Sequence, residues 1–207
     1  MPEVRMPGGR PRGFDQDTAL EAAMQLFWAK GYEATGVAEL TEAMGITPPS
    51  LYAAFGNKEE LFRRAVDRYV TGPASHLAVA LDQPTARAVA EHLLRGMVAL
   101  AAGVGTPTGC MTVQGALPAS DRNRAAHEHL AARRRQGEAM LAERLGRAAP
   151  AELPGGQDAT AVARYLFAVR FGLAVQAAGG ASAAELQEVV DVVLAQWPSC
   201  DALTNGG

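Results

Sequence analysis

Cysteine is nearly missing from this chain: Cys110 and Cys200 are its only two. Two thiols cannot make a disulfide framework, and with four histidines (His76, His92, His127, His129) they show no metal-ligand spacing. His127 and His129 stand two apart, so on a helix they point about 160° away from each other and cannot share one ion. Sustained strand-like alternation is absent, and with it any Gly-rich phosphate loop that follows a strand. These gaps argue against an enzyme and predict no cofactor. Long hydrophobic runs are lacking too: "YLFAVRFGLAVQAAGG" is interrupted by Arg170 and "LLRGMVALAAGV" by Arg95. The start, "MPEVRMPGGRPRGF", has arginines without the apolar core of a signal peptide. A cytoplasmic protein with no membrane partner is expected. Excess positive charge is also missing. The net charge is −3, and residues 1–70 hold eight basic against ten acidic side chains. A nucleic-acid contact could come only from the acid-free stretch Ala43 to Lys58 and from the tail that carries Arg5, Arg10 and Arg12.

Helical periodicity is present almost throughout, and it predicts an all-α fold. Asp15 can cap a first helix with Leu20, Ala23, Met24 and Phe27 on one stripe, closed at Lys30 by Gly31. Thr35 or Gly36 begins a second helix, with Val37, Leu40 and Met44 inward and Gly45 as its stop. A helix opened by Pro48 and Pro49 follows. A fourth is capped by Asn57, with Glu60 at the capping-box position and Leu61, Phe62, Ala65, Val66 and Tyr69 inward. "TGPAS" then breaks the pattern and divides the chain. The expected layout is a flexible basic tail at 1–13, a compact unit at 14–70, a helical domain at 71–200 and a disordered tail at 201–207.

The second domain is expected to hold helices near 74–81, 84–102, 109–117, 121–147, 157–178 and 182–196. The arginines of "AARRRQ" read as a solvated face. The last two helices carry wide apolar stripes with small residues at Ala163, Ala168, Gly172, Ala174 and Ala178, a candidate dimer surface. Leu93, Met97, Met111, Phe167 and Phe171 could line an apolar pocket or simply form core. Cys110 lies near a helix start, where the dipole favours a thiolate. It reads either as a sensor of oxidants or electrophiles or as a small buried residue at a tight corner.

The stretch "GITPPSLYAAFGNKEELF" concentrates the functional signal. Two short helices joined at Gly45 and packed on a third make a helix-turn-helix, whose second helix enters the DNA major groove by its first residues. Two prolines suit a helix start, because the N–H groups they remove there have no intrahelical partner. Leu51 and Phe55 face inward, leaving Ser50, Tyr52 and Ala53 outward. Tyr52 can donate to a phosphate, and Lys58 can reach the backbone.

From "ALEAAMQLFWAKGYEATGVAELTEAMGI" through "TPPSLYAAFGNKEELFRRAVDRY", the chain resembles the DNA-binding domain of the tetracycline-repressor (TetR) family of bacterial regulators. Phe27, the "GYEAT" corner, Gly45, "LYAAF" and "KEELF" carry the match. The resemblance implies a helix-turn-helix domain followed by a ligand-binding domain whose last two helices dimerise as a four-helix bundle. It implies a homodimeric regulator, usually a repressor, released from double-stranded operator DNA by a small-molecule effector. Carried over by position, Thr35, Thr47, Pro48, Pro49, Ser50, Tyr52 and Lys58 become the DNA contacts. Pro48, Pro49 and Ala53 stand where many relatives present polar or charged groups. This favours contacts to thymine methyls and DNA shape over rich base readout. The alternative is a thiol-based sensor acting through Cys110.

Overall fold

A computed structural model describes residues 13–103, 106–114 and 123–198. The tail through residue 12, residues 201–207, Cys200, and the ends of the helices expected at 109–117 and 121–147 lie outside the described residues. Among those described, every regular element is helical.

The first helix, α1 (Gln16–Ala34), starts where the Asp15 carboxylate accepts the amides of Asp17 and Thr18. At Gly31 the backbone turns to φ 78°, ψ 172°, which side chains with a Cβ avoid, so the regular run closes at Lys30. The second, α2 (Val37–Met44), ends at Gly45 in the left-handed region at φ 65°, ψ 31°. The third, α3 (Pro48–Phe55), has both prolines in its first turn, and Thr47 accepts the Ser50 amide. The fourth, α4 (Lys58–Thr71), begins with a complete capping box between Asn57 and Glu60. These starts form as their sequences predict.

Helix α4 packs along α1 and meets α3 at its beginning. Phe62 meets Phe27 edge-on at 5.0 Å and Tyr32 at 5.0 Å, while Leu40, Leu51, Phe55 and Leu61 fill the space between the helices. Farther along, Tyr69 packs edge-on against Trp28 at 4.9 Å.

Beyond Gly72 follow α5 (His76–Leu81), α6 (Ala86–Ala101), the single turn α7 (Met111–Gln114), α8 (Arg124–Leu145), α9 (Ala159–Ala178) and α10 (Ala183–Leu194). Thr85, Asp158 and Ser182 cap three of them, so each starts a residue or two later than periodicity alone suggests. Helix α9 packs on α6 and α8, and α10 packs on α6. Two glycines set the spacing. A Cβ at Gly96 would lie 2.6 Å from the Cβ of His76, and one at Gly137 would lie 3.0 Å from the Phe167 ring. Helix α9 is long and apolar enough to cross a bilayer, but its apolar side (Val162, Leu166, Phe167, Leu173) is buried in this core.

One expectation changes. Of the three consecutive arginines on α8, only Arg135 is a plain solvated side chain. Arg133 pairs with Asp67 on α4, and Arg134 donates to the Thr112 carbonyl at 2.6 Å. Their partners are 66 and 22 residues away, so local pattern could not reveal these ties.

Two local devices should therefore be measurable in stability. Gly31→Ala should cost about 1–3 kcal/mol, the range for residues forced into sparsely populated backbone regions. Asn57→Ala should cost about 1 kcal/mol through loss of the cap. Urea unfolding monitored by tryptophan fluorescence checks both, and a Gly31→Ala midpoint equal to wild type would contradict the strain argument.

Candidate nucleic-acid interface

Helix α3 is held by a few large contacts below and left open above. Leu51 and Phe55 are buried, whereas Thr47, Pro48, Pro49, Tyr52 and Ala53 are exposed and Ser50 is half-buried. The Tyr52 ring is 52% exposed, the most outward of the aromatic side chains described here. The Thr47 and Ser50 hydroxyls lie 3.0 Å apart, and Thr47 also accepts the Ser50 amide, so the first turn is closed on itself. Gly56 ends the helix with its N–H on the Tyr52 carbonyl. No acid lies on α3, and every capping group there is neutral.

Cations flank this surface. The Lys58 ammonium sits 4.3 Å above the Tyr32 ring. Partial burial pulls its pKa below the ordinary lysine value, and Glu33 nearby works in the opposite direction. Arg64 donates to the Ala54 carbonyl at 3.2 Å and covers the Phe55 ring, locking the end of α3 to α4. Sequence reading missed Arg64, because its partner lies ten residues back on another helix. A groove of about 390 Å³ runs between the start of α1 at Phe14 and Gln16 and the α3 face at Ser50 and Ala53.

Thr35 departs from its expected role. Its side chain is wholly buried, and its hydroxyl donates to the Gly31 carbonyl at 2.7 Å. The side chain is therefore spent on holding the corner between α1 and α2 and cannot reach DNA. What that corner does offer is the start of α2. Gly36 caps it without any side-chain acceptor, so the first amides of α2 have none from the cap.

In the C-terminal half, Leu93, Met97, Cys110, Met111 and Phe167 are buried, and Phe171 is half-buried against Phe167. A cavity of about 500 Å³ opens between α5 and α6, and none of the six lines it. Of the two readings of these residues, lining of a pocket or plain core, their burial in this structure fits the core, and Gly137 packs closely against the Phe167 ring. Cys110 immediately precedes α7. Its sulfur accepts the Tyr69 hydroxyl at 3.3 Å and lies 3.1 Å from the Thr112 hydroxyl. Burial, with Cys110 next, pushes the Tyr69 pKa upward, so the phenol remains a donor.

Comparison with known proteins agrees with this geometry. The family model described as bacterial regulatory proteins, tetR family, matches residues 19–65, which span α1 to the middle of α4. The HTH-type transcriptional repressor ComR of Escherichia coli K12 is 34% identical over 198 residues, covering 94% of each chain. The HTH-type transcriptional repressor BdcR of the same organism is 43% identical over 115 residues, 55% of this chain and 57% of that protein. Among solved structures, a cysteine-substituted TetR-family transcriptional regulator CifR, in complex with 26-bp double-strand operator DNA, aligns with a TM-score of 0.85. It is 40% identical over 92% of this chain and 100% of that one. With the helix-turn-helix formed as the family requires and the likeness running through the whole fold, this chain belongs to the TetR family of bacterial transcriptional regulators.

Proposed function

We propose that this chain is a ligand-responsive repressor, acting in the cytoplasm, that binds an inverted-repeat operator as a homodimer and is released by a small molecule. The observation that carries this reading is the exposed, acid-free face of α3, rigid from its first residue and buttressed by α1 and α4. Residues 14–70 serve as the reading head and 71–200 as the effector and dimerisation domain. Pro48 and Pro49 offer apolar contact to thymine methyls, while Thr47, Ser50 and Tyr52 hydrogen-bond at the groove edge. Lys58 and the first amides of α2 take phosphates on either side.

The dimer surface is the outward side of α9 and α10. Tyr165, Ala168, Gly172 and Val175 follow one another at helical spacing, and Val175 and Val192 are 59% and 65% exposed. A Cβ at Gly172 would meet nothing within 4 Å, so the monomer gives no packing reason for that glycine. A second copy does, because small residues let helices approach closely. Val190 is wholly buried within one chain, so the testable positions are the exposed valines.

One contact favours a second reading, a switch at the Cys110 thiol: its bond from Tyr69 reaches the last turn of α4. Against it, Cys110 is only 1% exposed, and structural buried cysteines are inert. If ligand binding alone drives release, hydrogen peroxide should leave the operator affinity of wild type and Cys110→Ser equal. A loss confined to the wild type would favour the thiol switch.

Tyr52→Phe and Lys58→Ala should weaken binding about equally for all sequences. Removing the lysine should also lower the salt slope by roughly one. Fluorescence anisotropy across a salt series checks this, and an unchanged slope would remove Lys58 from the phosphate contacts. Val175→Glu and Val192→Glu should give monomers by light scattering that no longer protect an inverted repeat with half-sites about one helical turn apart. Dimers persisting in both variants would place the interface elsewhere.

A further inference from the structure

The chain enters the fold beside its own recognition surface. The Phe14 ring packs 6.5 Å from that of Phe55 at the end of α3, and the Asp15 cap follows at once. Gly13 is therefore held at one wall of the groove of about 390 Å³ whose other wall is Thr47, Ser50 and Ala53. It is exposed, and a Cβ there would meet nothing within 4 Å, so the fold gives no packing reason for this glycine. No acid lines the groove. The two acids next in sequence are engaged: Asp15 accepts the amides of Asp17 and Thr18, and Asp17 lies 3.5 Å from Arg68.

The residues that lead into Gly13 carry the charge that α3 lacks. "RMPGGRPRG", residues 5–13, holds three arginines and no acid, and Glu3 is the one acid before Asp15. Pro11, set between Arg10 and Arg12, disfavours a helix and favours an extended backbone. In an extended chain, side chains two apart point the same way, so Arg10 and Arg12 make two prongs about 7 Å apart. Around them Gly8, Gly9, Pro11 and Gly13 add no long side chain.

A segment of this makeup suits one part of a duplex. The minor groove is only about 6 Å wide, and in runs of A·T pairs it narrows and concentrates a negative potential that attracts arginine. Arg10 stands three residues from Gly13, a reach of about 10 Å for an extended chain. The minor groove beside a helix seated in the major groove is one sugar–phosphate strand away.

We propose that residues 8–12 form an arm that enters the minor groove next to each half-site, with Arg10 and Arg12 inserted at A·T pairs. The strand between the two grooves of the duplex then lies in the groove between α1 and α3, where Gln16, Thr47 and Ser50 offer it polar groups. This rests on the reading of the chain as an operator-binding repressor, and it adds a source of affinity and sequence preference outside α3. The neutral α3 face then needs little charge of its own, because the arm supplies it.

The test is selection from a random duplex library by the full chain, followed by fluorescence anisotropy on the selected duplexes. Wild type should select an inverted repeat with A·T pairs beside the bases that α3 reads. Arg10→Ala/Arg12→Ala should select the same repeat without them. Both changes precede the first helix, so circular dichroism should match wild type. Exchanging the A·T pairs for G·C should weaken wild type about tenfold, as for one misread pair. Inosine·cytosine pairs should restore its binding, because they keep the major-groove edge of G·C and lack the amino group that G·C places in the minor groove. The double variant should bind all three duplexes alike, and more weakly than wild type binds the A·T duplex. A double variant that keeps the A·T preference would overturn the arm and leave the repressor reading standing. So would a wild type indifferent to the exchange, or one not restored by inosine. A wild type that selects no repeat would overturn that reading, and the arm with it.

Discussion

One helix has to satisfy both halves of the molecule, and the rest of the structure is arranged around it. The early turns of α4 bury Leu61 and Phe62 against α1, while its last full turn inserts Tyr69 between Trp28 and Cys110. Over its 14 residues it spans about 21 Å, so one helix links the turn beside α3 to the first residues of the C-terminal half. Arg68 ties it back to α1 through Glu21 at 2.6 Å, and Asp67 ties it across to α8 through Arg133. These ion pairs are half-exposed and add little stability. Their effect is angular: they set how the rod lies between its neighbours.

The reading surface makes sense under the same constraint. A domain with more acids than bases cannot attract DNA by total charge, so the local distribution of its charges matters more than their sum. Several acids are engaged within the domain: Asp15 and Glu60 in caps, Glu39 on Lys30, Glu59 on Arg63 and Glu21 on Arg68. What remains at α3 is a neutral face with hydroxyls, prolines and one outward tyrosine, flanked by Lys58 and Arg64. Such a face is better suited to contact by shape and apolar groups than to attraction by charge, and its helix start is already ordered by the Thr47 cap.

The C-terminal helices follow a different rule. Glycine at 96 and 137 draws α5, α6, α8 and α9 together, and residues that could have lined a pocket become core. Open space then lies between α5 and α6, where the polar His76 meets the cavity and the buried Arg170 stands behind it. A guanidinium enclosed by two aromatic rings and a neutral imidazole is tolerated because its charge is delocalised and weakly hydrated.

What the sequence determined by itself is local. Asp15, Thr47 and Asn57 cap their helices because a cap and its amide are two or three residues apart, a distance sequence pattern can read. Gly31 and Gly45 end helices for the same kind of reason, a backbone angle at a single position. The helix-turn-helix, built from such short-range parts, was legible as a motif and as a family resemblance. Tertiary structure alone decided the rest. It buried Thr35, turned Arg133 and Arg134 into ties, placed Arg64 over Phe55 and packed Met97, Met111 and Phe167 into the core. Each of these depends on which helix faces which. Helical periodicity says that a side chain points inward or outward, and only packing says what it meets there.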